Sequence, residues 1–338
     1  MTITLPALDQ SRDLVQPLLR SAVARLDPTS RKVAAYHFGW CDENGRQTNA
    51  SGGKAIRSAL ALLGAAAVCG DRQTAVPAAV AVELVHNFSL IHDDLMDRDT
   101  ERRHRATVWA LWGDGLAVLA GDALLSLAYE VLFETGSPRA GRVGQLLAEA
   151  VRELIRGQVA DLEFESRARV GAAECESMAI GKTAALLRAS SCIGAVFVGA
   201  APRTTDALAE YGHQVGIAFQ LVDDLLGLWG EPAVTGKPVF SDLVQHKKTL
   251  PITWAIENGG APGRELAAWL ASDQQAVSQD ELAYAAGLVE QAGGRDWAAR
   301  EADRRIELAL AALDKVPMAP DCRDEYVRLA RFIVERTA

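Results

Sequence analysis

Residues 90–105, LIHDDLMDRDTERRHR, set four aspartates (Asp93, Asp94, Asp97, Asp99) among seven residues and four arginines (Arg98, Arg102, Arg103, Arg105) among eight. On a helix Asp93 and Asp97 lie one above the other on one face, while Asp94 is turned about 100° away. Like charges at that spacing repel mildly, and a charge run is most often a solvated helix end. The preceding VELVHNFSLI is strongly apolar, however, which predicts a buried helix with carboxylates at its mouth. Carboxylate oxygens with no Cys or His among the candidate ligands suit Mg²⁺, which commonly bridges protein to phosphate.

A second acidic pair, Asp223 and Asp224 in FQLVDDLLGLWG, also closes a mostly apolar helix. Facing helices of a bundle commonly hold metals between such side chains. Cations complete the pattern: Lys54 and Arg57 follow a double glycine in SGGKAIR, Arg102 and Arg103 follow the first acidic cluster, and Lys182, Lys237 and Lys247 lie in the second half. Each alone is an ordinary surface charge. With the aspartates they describe a receptor for a phosphorylated ligand, in which metal takes one charged group and guanidinium forks or ammonium groups take another. His86 projects from almost the face of Asp93, two turns deeper; a lone histidine in an apolar helix is more often a satisfied core residue.

The elements that must position these groups are helices. Apolar residues recur at three and four positions nearly everywhere, and alternating β-branched runs are hard to find. Breaks rich in Gly, Pro, Asn and Ser divide the chain into helical segments near 10–25, 54–69, 75–98, 106–134, 142–166, 174–198, 204–229, 246–257, 280–292, 296–314 and 322–336. Some, such as ALLRASSCIGAVFVGA, are apolar nearly all round and belong inside a bundle. No long polar linker and no repeat appears, so residues 1–338 read as one large all-α domain whose motif-bearing core spans about 50–251.

The 338 residues are 49% hydrophobic and carry a formal net charge of -9, which argues against a nucleic-acid partner. No basic-then-apolar leader is visible, the apolar runs are interrupted or too short for a membrane span, and five scattered cysteines form no metal-like spacing. A cytoplasmic protein with no integral membrane segment is expected.

The stretches GGKAIR, DDLMD with RR beyond it, LAGDALL, GQVADLE, GKTAALL, FQLVDDLLG and TGKPVFSDLVQHKKTLP occur in this order. Together they resemble the trans-isoprenyl diphosphate synthases of the polyprenyl synthetase family. The resemblance implies the all-α isoprenoid synthase fold with a central catalytic cavity, usually as a homodimer. It implies Mg-dependent head-to-tail joining of isopentenyl diphosphate to an allylic diphosphate (dimethylallyl, geranyl or farnesyl), with two or three Mg²⁺ ions and Mn²⁺ as a substitute. By matching positions, Asp93, Asp94, Asp97, Asp223 and Asp224 would hold metal, and Lys54, Arg57, His86 and Arg103 would bind isopentenyl diphosphate. Arg102, Lys182, Lys237 and Lys247 would contact the allylic diphosphate or close the site, supported by Gln158, Asp161, Thr183, Gln220 and Asp242.

Some positions depart from the family pattern. The second motif, usually DDxxD, has Gly227 in its last place; RRHRAT stands for RRGxPT, GGKAIRS for GGKRxRP, and Phe240 replaces a usual glycine. Arg98, Asp99 and Arg105 find no role and read as solvated. Residues four and five before the first aspartate, Ser89 and Phe88, are the family's chain-length positions, and a bulky residue only at the deeper one predicts twenty carbons (geranylgeranyl) more readily than fifteen (farnesyl). Competing readings are a terpene cyclase of the same fold, a non-catalytic partner subunit, and a di-metal phosphohydrolase suggested by the HDD of 92–94.

Overall fold

The computed structural model describes residues 6–48, 53, 55–231, 239–272 and 277–335. Among the described residues the regular structure is helical apart from one two-stranded hairpin and an isolated bridge between Cys41 and Gln47. It divides into two compact units, one of residues 1–151, 186–212 and 312–329, the other of 152–185, 213–311 and 330–338.

The first unit begins with α1 (Pro6–Val23) and α2 (Pro28–His37). Helix α2, absent from the sequence expectation, starts where it does because Asp27 accepts hydrogen bonds from the N–H groups of Thr29 (3.0 Å) and Ser30 (3.1 Å), with Pro28 preset for the first turn. The apolar α3 (Ile56–Cys69) and α4 (Val76–Met96) follow. Helix α4 is buried on nearly every side as far as Ile91 and emerges only at its acidic end. Asp97 caps it, its N–H bonding the Asp93 carbonyl at 2.9 Å, and Arg98 at φ 55° turns the chain away.

The hairpin β1 (Glu101–Arg102) and β2 (Arg105–Ala106) comes next, then α5 (Val108–Phe133). Helix α5 breaks at Gly113, whose φ of 82° and ψ of 169° only glycine adopts readily. The helix α8 (Ala185–Val198) belongs to this unit from residue 186 and packs so closely that a Cβ on Gly194 would lie 1.8 Å from the Ala61 carbonyl oxygen of α3.

The second unit carries the later part of α6 (Ala140–Ser166), then α7 (Ala172–Ala179), a π-helical turn over Ile180–Ala184, and α9 (Pro202–Trp229) from residue 213. It continues with α10 (Ser241–Val244), α11 (Leu250–Asn258), α12 (Gly260–Leu270), α13 (Gln279–Gln291) and α14 (Gly294–Leu313); the closing helix α15 (Pro320–Val334) lies mostly in the first unit. One apolar cluster here joins Met178, Ile217, Leu221, Leu225 and Leu250, and another joins Leu228, Leu243, Ile252, Leu266 and Leu288.

By length and composition three helical stretches, Gln73–Met96, Val108–Phe133 and Ala172–Val198, are apolar enough to cross a membrane, which corrects the expectation that none is. In the first and third, 67% of the apolar window is buried within the fold, and in the second 44%.

Candidate active site

In the first unit, α4 and the hairpin deliver the first acidic motif and its arginines to one cavity of about 340 Å³, lined by Tyr36, His37, Asp94, Arg102, Arg103 and Arg105 among others. Asp94 is the buried aspartate of the motif at 2% exposure, while Asp93 and Asp97 are part-exposed. This is the 100° offset read from the sequence, with Asp94 turned inward. Arg102 Nε donates to Asp94 Oδ1 at 2.7 Å. Asp94 Oδ2 is buried and has no hydrogen-bond partner among the described residues, a position that an incoming cation would satisfy. Burial raises the Asp94 pKa to about 6 against the opposing pull of Arg102.

Arg103 lies across Gly53, where a Cβ would come within 2.7 Å of Arg103 Nη2; at a φ of 114° Gly53 also holds a backbone that other residues rarely adopt. The glycine of the SGGKAIR stretch therefore lets a guanidinium rest on bare backbone. Arg57 Nη1 donates to His86 Nε2 at 3.2 Å, so this histidine nitrogen carries no proton. Burial and the positive charge of Arg57, Arg103 and Arg102 hold the His86 pKa well below its ordinary value.

Three residues of this region escaped the sequence reading. Glu83, one turn before His86 on α4, is part-buried, its pKa is raised by desolvation, and it lies in the field of Arg57. His37 at the end of α2 bonds Asn87 Oδ1 through Nε2 at 3.1 Å, and burial with Arg103, Arg102 and Arg105 nearby lowers its pKa to about 3. Arg105 is part-buried and donates to the carbonyls of Tyr36 (2.9 Å) and Cys41 (2.7 Å), so the expectation that it is solvated fails. Arg98 is exposed as expected, in a two-pronged pair with Asp114 at 3.0 and 3.1 Å, and the Asp99 carbonyl anchors Thr107 and Trp109. The signal for Glu83 lay in the sequence, a lone carboxylate in an apolar run; His37 sits on a helix the periodicity did not reveal.

Of the chain-length pair, Phe88 is buried and meets His92 edge-to-face with ring centroids 4.9 Å apart. Ser89 donates its hydroxyl to the His86 carbonyl at 2.8 Å. His92 Nε2 donates to the Val118 carbonyl at 3.0 Å over Gly121, where a Cβ would lie 2.2 Å from the ring nitrogen. The glycine of LAGDALL thus makes room for the histidine of LIHDD.

In the second unit, Asp224 is 5% exposed and accepts from Gln220 Nε2 at 2.7 Å and from the Leu250 N–H at 2.9 Å. Gln220 is itself oriented by Thr183, whose hydroxyl donates to Gln220 Oε1 at 2.6 Å. Burial, then the neighbouring Asp242 charge, raise the Asp224 pKa to about 8. Asp223, one step round the helix, is part-exposed. Lys182 Nζ donates to Asp161 Oδ2 at 2.6 Å.

Lys182 and Thr183 sit in the π-helical turn, a feature frequent at functional sites. There the chain touches α6 backbone to backbone: a Cβ on Gly157 would meet Lys182 N at 2.1 Å, and one on Gly181 would meet the Glu153 carbonyl at 2.8 Å. Gln158 beside it is buried, and its Nε2 has no hydrogen-bond partner among the described residues. The space that the missing aspartate of the second motif would occupy is taken by Asp242, whose Oδ2 lies 2.2 Å from a Cβ built on Gly227. Lys247 is part-exposed and closes α10 through its N–H to the Asp242 carbonyl at 2.8 Å. Lys54 and Lys237 lie outside the described residues.

Among the described residues no three or more His, Cys, Asp or Glu side chains form a complete metal cage. The donors present still fit Mg²⁺, which keeps several waters and takes one or two carboxylates together with substrate phosphates.

An all-α fold with two aspartate motifs and an arginine-lined anion cavity defines a class of enzymes acting on prenyl diphosphates. The sequence pattern of the family described as polyprenyl synthetase matches residues 39–287, and the chain belongs to that family. It is a transferase, a short-chain prenyl diphosphate synthase of the trans class. It is 53% identical over 337 residues to a (2E,6E)-farnesyl diphosphate synthase of Mycobacterium tuberculosis, covering 99% of this chain and 94% of that one. It is 41% identical to a geranylgeranyl diphosphate synthase of the same species, covering 97% and 93%. A polyprenyl synthetase structure from Streptomyces coelicolor A3(2) superposes with a TM-score of 0.93 at 50% identity, covering 97% and 98%. A geranylgeranyl pyrophosphate synthase from Corynebacterium glutamicum, complexed with isoprenyl diphosphate and magnesium, gives 0.84 at 28%, covering 99% and 100%.

Proposed function

We propose that the chain catalyses Mg²⁺-dependent head-to-tail condensation of isopentenyl diphosphate with an allylic diphosphate, releasing pyrophosphate. The observation that carries this reading is a cavity of the first unit that holds a buried, half-satisfied carboxylate, Asp94, beside Arg102, Arg103 and Arg105. Asp93, Asp94 and Asp97, with Asp223 and Asp224, would hold Mg²⁺. When bound, the metal stabilises charge on the departing pyrophosphate.

The chain's own groups do the rest. Arg102 orients Asp94 and presents its remaining N–H donors to the allylic diphosphate. Lys182, held by Asp161, adds a cation for the leaving group, and Thr183 and Gln220 fix the Asp224 carboxylate. Arg103 and Arg57, with neutral His86, receive isopentenyl diphosphate; Lys54, Lys237 and Lys247 share these duties by their family positions. Preorganised cations lower the barrier to ionisation of the allylic C–O bond. The double bond of isopentenyl diphosphate attacks the allylic carbon, and a proton is then lost. The apolar walls of α4 exclude the water that would otherwise capture the cation.

For product length, 53% identity across the chain to a farnesyl diphosphate synthase favours fifteen carbons. The small Ser89 above the buried Phe88 favours twenty. We assign farnesyl diphosphate first and geranylgeranyl diphosphate as the second reading. We further propose a homodimer, supported by the exposed apolar side chains Val118, Leu119 and Phe133 on α5. A cytoplasmic location is supported by four buried unpaired thiols, Cys41, Cys175, Cys192 and Cys322.

The test is incubation of the purified protein with Mg²⁺, isopentenyl diphosphate and each of dimethylallyl, geranyl and farnesyl diphosphate, with chromatography of the dephosphorylated products. Farnesol marks the first reading and geranylgeraniol the second. No elongation from any primer sinks the synthase reading, and a cyclic hydrocarbon from one substrate establishes a cyclase instead.

A further inference from the structure

The hairpin that carries Arg102 and Arg103 is built against its backbone preferences. Its two turn residues, Arg103 and His104, have φ of 53° and 60°, left-handed values that two-residue hairpin turns normally assign to Asn or Gly. Two side-chain-bearing residues hold such a turn only where surrounding contacts over-determine it.

Those contacts converge on Arg105. Its Nη1 donates to the Tyr36 carbonyl at 2.9 Å and its Nη2 to the Cys41 carbonyl at 2.7 Å. The guanidinium carbon lies 4.0 Å from the centroid of the Tyr36 ring. The Tyr36 hydroxyl returns a bond to the Ala106 carbonyl at 2.8 Å, and its ring meets Trp112 edge-to-face at 5.0 Å. The two carbonyls lie in the last turn of α2 and just beyond it, where the helix dipole favours a cation. A planar fork can serve both while stacking on the ring; a lysine ammonium cannot.

We propose that Arg105 is a positioning residue for diphosphate capture: by clamping β2 to the end of α2, it holds the strained Arg103–His104 turn in the conformation that lays Arg103 across Gly53 and keeps Arg102 on Asp94. The anion pocket is thereby formed before the substrate arrives, and binding does not have to order it. This rests on the reading that the cavity takes a diphosphate.

The test uses the full-length protein with Arg105→Lys, Tyr36→Phe, His104→Gly and the His104→Gly, Arg105→Lys pair. Two readouts are taken: calorimetric binding of inorganic pyrophosphate in EDTA, and steady-state kinetics with isopentenyl diphosphate varied at saturating geranyl diphosphate. Arg105→Lys should weaken pyrophosphate binding and raise KM for isopentenyl diphosphate by about tenfold each, with kcat changed less than about twofold. Tyr36→Phe should move both in the same direction by less. His104→Gly alone should leave KM unchanged, because the clamp already fixes the turn, and should bring the raised KM part of the way back when combined with Arg105→Lys, because glycine holds the left-handed conformation without strain.

Unchanged pyrophosphate affinity and KM in Arg105→Lys overturn the proposal, as does a fall in kcat with KM constant. Should that variant fail to fold, unchanged values in Tyr36→Phe overturn it equally. A wild-type protein that binds pyrophosphate but elongates nothing counts against the proposed reaction and leaves the clamp to be judged by binding.

Discussion

Replacing Gly227 by aspartate would complete the second acidic motif, and the packing at that position makes the completed motif worse than the interrupted one. A Cβ there would lie 2.2 Å from Asp242 Oδ2 and 2.5 Å from its Cγ, more than about 1 Å inside van der Waals contact. The new carboxylate would also enter a region where Asp242 already helps to raise the Asp224 pKa to about 8. Overpacking of this kind costs about 1–3 kcal/mol, and the helical preference gained by losing a glycine offsets less than about 1 kcal/mol of it. At about 2–4 °C per kcal/mol the melting temperature should fall by about 2–10 °C. Circular dichroism melts in EDTA read the stability, and kcat/KM in Mg²⁺ should drop at least about tenfold with the displaced carboxylates. Gly227→Ala separates steric from charge effects, and Asp242→Ala in the Gly227→Asp background should restore the melting temperature. A Gly227→Asp protein that melts at or above wild type and elongates as fast would refute the claim that Asp242 fills the site.

Further outcomes follow from the geometry of both units. If Asp93 takes the metal-holding role proposed for it, Asp93→Ala should lower kcat/KM about 10²-fold or more; near-normal turnover would reassign Asp93. Gly121→Ala places a Cβ 2.2 Å from His92 Nε2, which should displace His92 and the Phe88 ring packed on it and change the ratio of C15 to C20 alcohols on chromatography; an unaltered ratio removes these residues from length control. Asp224 holds its proton to about pH 8 in the fold, against about pH 4 in an unfolded chain. Between those values the native state binds more protons than the unfolded one, so stability falls as pH rises through that window. The melting temperature of Asp224→Asn relative to wild type in EDTA should therefore climb from about pH 5 to about pH 8, and a flat difference would show that burial does not hold the proton.

Much of the fold was legible because the chain solves burial with helical periodicity. The end of α4, the 100° offset of Asp94 from Asp93 and the apolar character of α8 all follow from it. What escaped did so for identifiable reasons. Helix α2 has few apolar residues and was announced only by Asp27 and Pro28. The hairpin has strands two residues long, three of their four residues charged, and a turn without glycine, so no local rule points to it. Helix α12 begins in the GGAPG stretch that reads as a break. The clustering of aspartates and arginines pointed to the candidate site, but whether Arg105 faces water or two carbonyls depends on Tyr36 and Cys41, more than sixty positions earlier. The role of Gly227 likewise depended on Asp242, which the spacing of the second motif does not show.

The contact between Gly157 and the π-helical turn has a consequence for how this protein can drift. Where side chains separate two helices, a substitution on one can be answered by repacking on the other. Where backbone meets backbone there is no rotamer to adjust and no partner to co-vary. Glycine at 157 and at 181 is then a fixed datum from which the reach of Lys182 to Asp161 is measured, and descendants of this chain can change their product or their partners freely only by leaving that datum where it is.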